Sequence, residues 1–222
     1  DQLDADVVQI FATRKAFAAL KADGSVTTWG DRRQGGNCER VKNDLKSGVV
    51  DIFSTGTAFV ALKNDKSVVA WGDPERGGSF GEVPKKELKN IASVVSTFSE
   101  NGNMSETFAA LRHDGSAVTW GDRSVRDDSK SNQIKEIRNI SQIIPNHQAF
   151  VFLLDNGQIV AIGNKTSGGE LGRVSYSHET NDDSPYSVFP NGDRSLVPGQ
   201  EIYNDSNRLS GGIEKVVPSY KA

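Results

Sequence analysis

Residues Ala16–Asp31 read AFAALKADGSVTTWGD, and three later stretches fall on them without a gap. They are AFVALKNDKSVVAWGD at Ala58–Asp73, TFAALRHDGSAVTWGD at Thr107–Asp122 and AFVFLLDNGQIVAIGN at Ala149–Asn164. Their leucines, Leu20, Leu62, Leu111 and Leu153, stand 42, 49 and 42 residues apart. A period of this size marks one supersecondary unit used several times over.

Working outward, each copy is preceded by a leader rich in Val and Ile: VVQIFAT from Val7, VVDIFST from Val49, IASVVST from Ile91 and ISQIIPN from Ile140. Such short runs, alternating apolar and polar or apolar throughout, read as strands. The Ala-Phe-x-x-Leu segment reads as a second strand. Asp23-Gly24, Asp114-Gly115 and Asn156-Gly157 then supply the positive φ of a tight hairpin turn. Lys66 stands where that glycine should be in the second copy, so the Asp65-Lys66 turn is expected to be strained or of another type. A third strand ends in Trp-Gly-Asp.

The unit is therefore a small antiparallel sheet that cannot bury both faces alone. The expected fold is all-β: a β-propeller of short antiparallel blades, about four of them present. Trp29, Trp71, Trp120 and Ile162 share one repeat position, and Phe17, Phe59, Phe108 and Phe150 another, which assigns them to packing between blades rather than to a ligand. Asp31, Asp73 and Asp122, recurring after Trp-Gly, are expected to cap turns. The pairs Gly35-Gly36, Gly77-Gly78 and Gly168-Gly169 read as backbone turns, and none has the strand–loop–helix setting of a phosphate loop. Glu39–Lys46 and Lys85–Lys89 are expected to form short turns between blades.

The repeats are bounded at about 7–48, 49–90, 91–139 and 140–212, within one domain spanning 1–222. Residues Ile213–Ala222, IEKVVPSYKA, repeat the leader a fifth time. On this reading the propeller is incomplete or part of a larger, seven-bladed type that continues past Ala222. Asp1 in place of methionine is expected to mark a processed or truncated start.

These motifs resemble the regulator of chromosome condensation (RCC-type) repeat family, whose unit has an apolar leader, an Ala-Leu strand, Asp-Gly, a further apolar strand, Trp-Gly and a Gly-rich segment. Ala19–Gly30, ALKADGSVTTWG, carries the closest match. The family often has histidine before the Ala-Leu pair, where this chain has phenylalanine. The resemblance implies a propeller scaffold, with guanine-nucleotide exchange on a small GTPase, or secreted inhibition, as activities carried over from the family.

Composition narrows the functions. A formal net charge of −3 disfavours nucleic acid as a partner. No apolar run approaches the length of a membrane span. Cys38 is the single cysteine, so no internal disulfide forms. His113, His147 and His178 lack the spacing of a zinc site or a neighbouring nucleophile, and no Gly-x-Ser-x-Gly occurs. Asp182, Asp183 and Asp193 do not follow a calcium-loop pattern. The sequence thus nominates no catalytic residue, cofactor or metal, and it assigns no compartment.

Specificity on a repeat scaffold belongs to what breaks the repeat. Two insertions do: Phe98–Ser105 and about 172–209. Their apolar and aromatic residues Phe98, Met104, Tyr176, Tyr186, Phe189 and Tyr203 are the candidate partner-binding anchors. The expected function is a non-catalytic protein–protein interaction scaffold, with an accessory subunit of a larger assembly as its narrower form. The alternatives are an exchange factor for a small GTPase and a secreted propeller-type inhibitor or adhesin.

Overall fold

The computed structural model describes residues 6–97, 106–122, 134–164 and 167–169, and the backbone of three short strands at 186–188, 194–196 and 208–209. Each repeat folds as an antiparallel sheet in chain order. The first is β1 (Val7–Ala12), β2 (Ala16–Lys21) and β3 (Val26–Gly30); the second is β4 (Val49–Ser54), β5 (Ala58–Lys63) and β6 (Val68–Gly72). The third is β7 (Ile91–Ser96), β8 (Thr107–Arg112) and β9 (Ala117–Gly121); the fourth is β10 (Ile140–Pro145), β11 (Ala149–Leu154) and β12 (Ile159–Gly163). The leaders pack in succession, β1 on β4, β4 on β7 and β7 on β10. The sheets follow one another as the blades of a β-propeller and, among the described residues, do not close into a ring.

Alternation along the second strand explains the repeat's mixture of small and large residues. Ala16, Ala18 and Leu20 face one way, against Phe59, Ala61, Val69 and Trp71 of the second blade. The opposite faces of β5 and β6, through Ala58, Val60, Leu62, Val68 and Ala70, pack on Phe108, Ala110, Val118 and Trp120 of the third. Small residues on one blade thus receive rings from the next. Phe17–Trp29, Phe59–Trp71 and Phe108–Trp120 are cross-strand stacks with centroids 5.3, 5.3 and 5.6 Å apart.

The glycine pairs complete the same interface. Trp71 Nε1 donates to the Gly35 carbonyl at 3.1 Å, and Trp120 Nε1 to that of Gly77 at 3.2 Å. A methyl group on Gly35 would stand 2.5 Å from the Phe59 ring, and one on Gly77 2.6 Å from that of Phe108. The pair is a close approach of one blade's exit loop to the next blade's stack.

Every leader carries a register shift after its first residue, between Val7 and Gln9, Val49 and Asp51, Ile91 and Ser93, and Ile140 and Gln142. The simple alternation expected of the leaders is therefore broken by a recurring bulge. Asp31 and Asp73 cap their turns as expected: Asp31 accepts from the N–H groups of Arg33 and Gln34, and Asp73 from that of Glu75. Short 3-10 turns occupy Glu39–Val41 and Lys85–Leu88.

Lys66 sits at φ 65°, beside 76° for Gly24 and 74° for Gly115, so the second hairpin keeps the turn its neighbours use. An inter-blade bond holds it there. The carbonyls of Gly24, Lys66 and Gly115 accept from the N–H groups of Val49, Ile91 and Ile140, the first residues of the following leaders, at 3.0, 3.0 and 2.9 Å. A side chain in this region costs about 1–2 kcal/mol, offset in part by the freedom glycine regains when unfolded. Lys66→Gly is expected to stabilise the protein by about 0.5–1 kcal/mol, read as a higher urea midpoint; an unchanged or lower midpoint overturns this account of the turn.

Candidate functional site

The last residue of each leader, Thr13, Thr55, Thr97 or Asn146, turns the chain into the second strand. Its side-chain oxygen accepts from a backbone N–H at the start of that strand: Ala16 at 3.0 Å, Ala58 at 3.1 Å, Thr107 at 2.9 Å and Ala149 at 2.7 Å. Thr13 Oγ1 also donates to the Gln34 carbonyl at 3.0 Å, and Asn146 Nδ2 to that of Ser167 at 2.7 Å. These turns gather polar groups from successive blades at one end of the leaders.

Glu106 is fully buried in that gathering. Its Oε2 accepts from Thr57 Oγ1 at 2.6 Å, and its Oε1 accepts from the Arg14 guanidinium. The Arg14 N–H donates to the Gly56 carbonyl at 2.9 Å. A methyl group at Gly56 would come within 2.4 Å of the guanidinium carbon, so only glycine leaves the pair its space. Residues of three blades are thereby tied through one carboxylate. With both oxygens bonded, Glu106 serves as a tie between blades.

The open site lies on the rim. A groove of about 1090 Å³ runs along β6, touching every residue from Val68 to Asp73. One wall is the loop leaving the first blade, with Arg32, Arg33 and Arg40; the other is the loop leaving the second, with Lys85 and Lys89. Successive side chains of a strand point to opposite faces. A cavity that meets all of β6 and both loops therefore follows the strand's outer edge.

Six basic side chains line the groove, Lys63 included, against three acidic ones. Two of the acids are bonded within their own turns. Asp73 caps the turn it opens, whereas the Asp44 carboxylate takes no part in the bond from Lys63 Nζ to the Asp44 backbone carbonyl at 2.6 Å. The Ser67 hydroxyl, donating at 2.6 Å, and then its N–H hold the Asp65 carboxyl below the usual carboxylate range. A positive groove on a chain of net charge −3 is a local concentration of charge.

Of the residues nominated from sequence, Phe98, Met104, Tyr176, Phe189 and Tyr203 lie outside the described residues. Tyr186 opens β13 (Tyr186–Val188), which pairs with β14 (Arg194–Leu196); its side chain is outside the description. The larger insertion also supplies β15 (Arg208–Leu209), which joins the outer edge of β12 as a fourth strand, so it is not loop throughout. Sequence reasoning missed the Arg14–Glu106 tie and the groove. Glu106 shows in the sequence only as an acid where the other copies have Lys15, Thr57 and Gln148.

No protein-family model matches the chain, and no curated protein matches it. Among solved structures, the chain is similar to yeast RCC1 (Prp20) bound to Kap60, at 17% identity and a TM-score of 0.49 over 90% of this chain and 50% of that one. It is similar to Prp20p from Saccharomyces cerevisiae, studied with its binding to Gsp1p and histones, at 17% identity and a TM-score of 0.48 over 90% and 52%. It is also similar to the CRINKLY WD40 ectodomain of the Arabidopsis thaliana receptor kinase ACR4, at 18% identity and a TM-score of 0.46 over 72% and 51%. The chain spans about half the length of these structures.

Proposed function

We propose that the protein is a non-catalytic protein-interaction scaffold, acting as an accessory subunit of a larger assembly. The observation that carries this reading is the basic groove along β6. The recurring side chains are spent on packing blades, whereas most of the groove's basic residues, Arg32, Arg33, Arg40, Lys85 and Lys89, stand in the loops between the repeated strands. A cleft walled by two loops on a rigid sheet is where a repeat scaffold holds a partner.

Purification of the full chain from its native source, followed by light scattering on a sizing column, tests the reading. The expected result is a heteromeric assembly, depleted of its partner by the double substitution Lys85→Glu with Lys89→Glu. A partner-free, monodisperse monomer from the unsubstituted chain would sink it.

A further inference from the structure

We infer that the groove takes a continuous acidic stretch of a partner protein in extended form, paired as a fourth strand on the outer edge of β6. The inference rests on the scaffold reading and names its ligand class.

The ladder defines the edge. Lys63 N–H donates to the Ser67 carbonyl at 2.9 Å, and Asp73 N–H to the Thr57 carbonyl at 3.1 Å. Bonded pairs alternate along an antiparallel ladder. Val69 and Trp71 therefore face β5, while the N–H and C=O groups of Val68 and Ala70 point away from it. Those outward groups have no hydrogen-bond partner among the described residues. Buried backbone groups are seldom left so, and Val68 and Ala70 are each only 7% exposed.

The same molecule shows what satisfies this edge. Val26, Val68 and Ile159 occupy one repeat position, each six residues after its leucine. In the first blade, Val26 N–H donates to the Leu45 carbonyl at 2.9 Å. In the fourth, Ile159 lies opposite Leu209 of the added strand β15. Both of these edges are met by another piece of backbone; those of β6 and of β9, at Ala117, meet none among the described residues, and of the two only β6 lines the basic groove. A short extended segment completes it in the manner of strand addition.

Charge selects the segment. Side chains of a strand laid beside β6 would alternate between the arginine-bearing loop of the first blade and the lysine-bearing loop of the second. Because both walls are basic, acids at consecutive positions fit, whereas acids at every second position would satisfy one wall only.

The test uses the full chain and labelled hexaglutamate, followed by fluorescence anisotropy and residue-resolved amide exchange. Hexaglutamate is expected to bind and to slow exchange at Val68 and Ala70, leaving Val69 and Trp71, already bonded to β5, as they were. Methylating alternate backbone nitrogens of the peptide keeps its charge and removes its donors; it should weaken binding about tenfold or more. Lys85→Glu with Lys89→Glu should weaken it similarly, and added salt should do so progressively.

Equal binding of the N-methylated peptide or of a thymidine oligonucleotide would reduce the groove to a charged surface and overturn the inference. So would protection of Val68 and Ala70 in the free protein, which would show a segment of this chain or a second copy on the edge. A native partner lost on groove reversal, with both amides untouched by hexaglutamate, sinks the acidic strand but leaves the scaffold. Absence of any native partner sinks the scaffold reading itself.

Discussion

Trp120→Ala is expected to destabilise the protein by about 3–5 kcal/mol, the upper range for truncating a buried aromatic. Trp120 is fully buried. Its ring stacks on Phe108 at 5.6 Å and meets Phe80 edge-on at 5.2 Å. Its Nε1 holds the Gly77 carbonyl at 3.2 Å. Removing the indole opens a cavity walled by two successive repeats and leaves that carbonyl without its donor. Neither blade can close the gap by itself, because each is fixed by its own ladder. Trp29→Ala is the control. Trp29 is only partly buried and its partner Phe17 is 44% exposed, so about 1–2 kcal/mol is expected there. Denaturant melts of both variants check the contrast; equal losses would mean that the stack, rather than the inter-blade cover, sets the cost.

Glu106→Ala is expected to cost about 3 kcal/mol, the lower end for breaking a buried ion pair. Arg14 keeps 21% of its side chain exposed, so water reaches the stranded guanidinium and limits the loss. The Thr57 hydroxyl also loses its acceptor. A double-mutant cycle with Arg14→Ala isolates the pair. The double variant should fall well short of the sum of the singles, because each single change already abolishes the same contact. Additive losses would show that Glu106 acts through Thr57 alone. A loss under about 1 kcal/mol for Glu106→Ala, the scale of an exposed pair, would remove the carboxylate from any part in joining the blades.

The two sites differ in how far the sequence discloses them. Register among four copies is enough to place the strands, because a position that recurs in every repeat carries the same packing in each. Phe59 and Trp71 could be assigned to an inter-blade interface on that ground, and Asp31 and Asp73 to caps. The leader-ending Thr13, Thr55 and Thr97 recur just as plainly, and their capping was there to be read. The bulge after Val49 was not: it changes which residue faces which without altering the residue types. Glu106 and Arg14 come from different repeats, and only the stacking of blades brings them together. The groove is less legible still. Most of its positive charge comes from loop residues outside the aligned core, and its floor is a row of backbone groups that no side chain announces. The pairing of β15 with β12 likewise depends on where a long excursion returns.

The contacts of Gly35 with Phe59 and of Gly77 with Phe108 all run in one direction along the chain. So do the bonds from Val49 to Gly24 and from Ile91 to Lys66. In each case the surface that receives a blade belongs to the repeat made just before it. During synthesis from the N-terminus, an emerging hairpin therefore meets a finished template instead of waiting for chain still inside the ribosome. Contacts between neighbours also keep each closing loop short. The glycine pair, so read, is a device for orderly growth: every blade leaves behind the seat on which its successor folds.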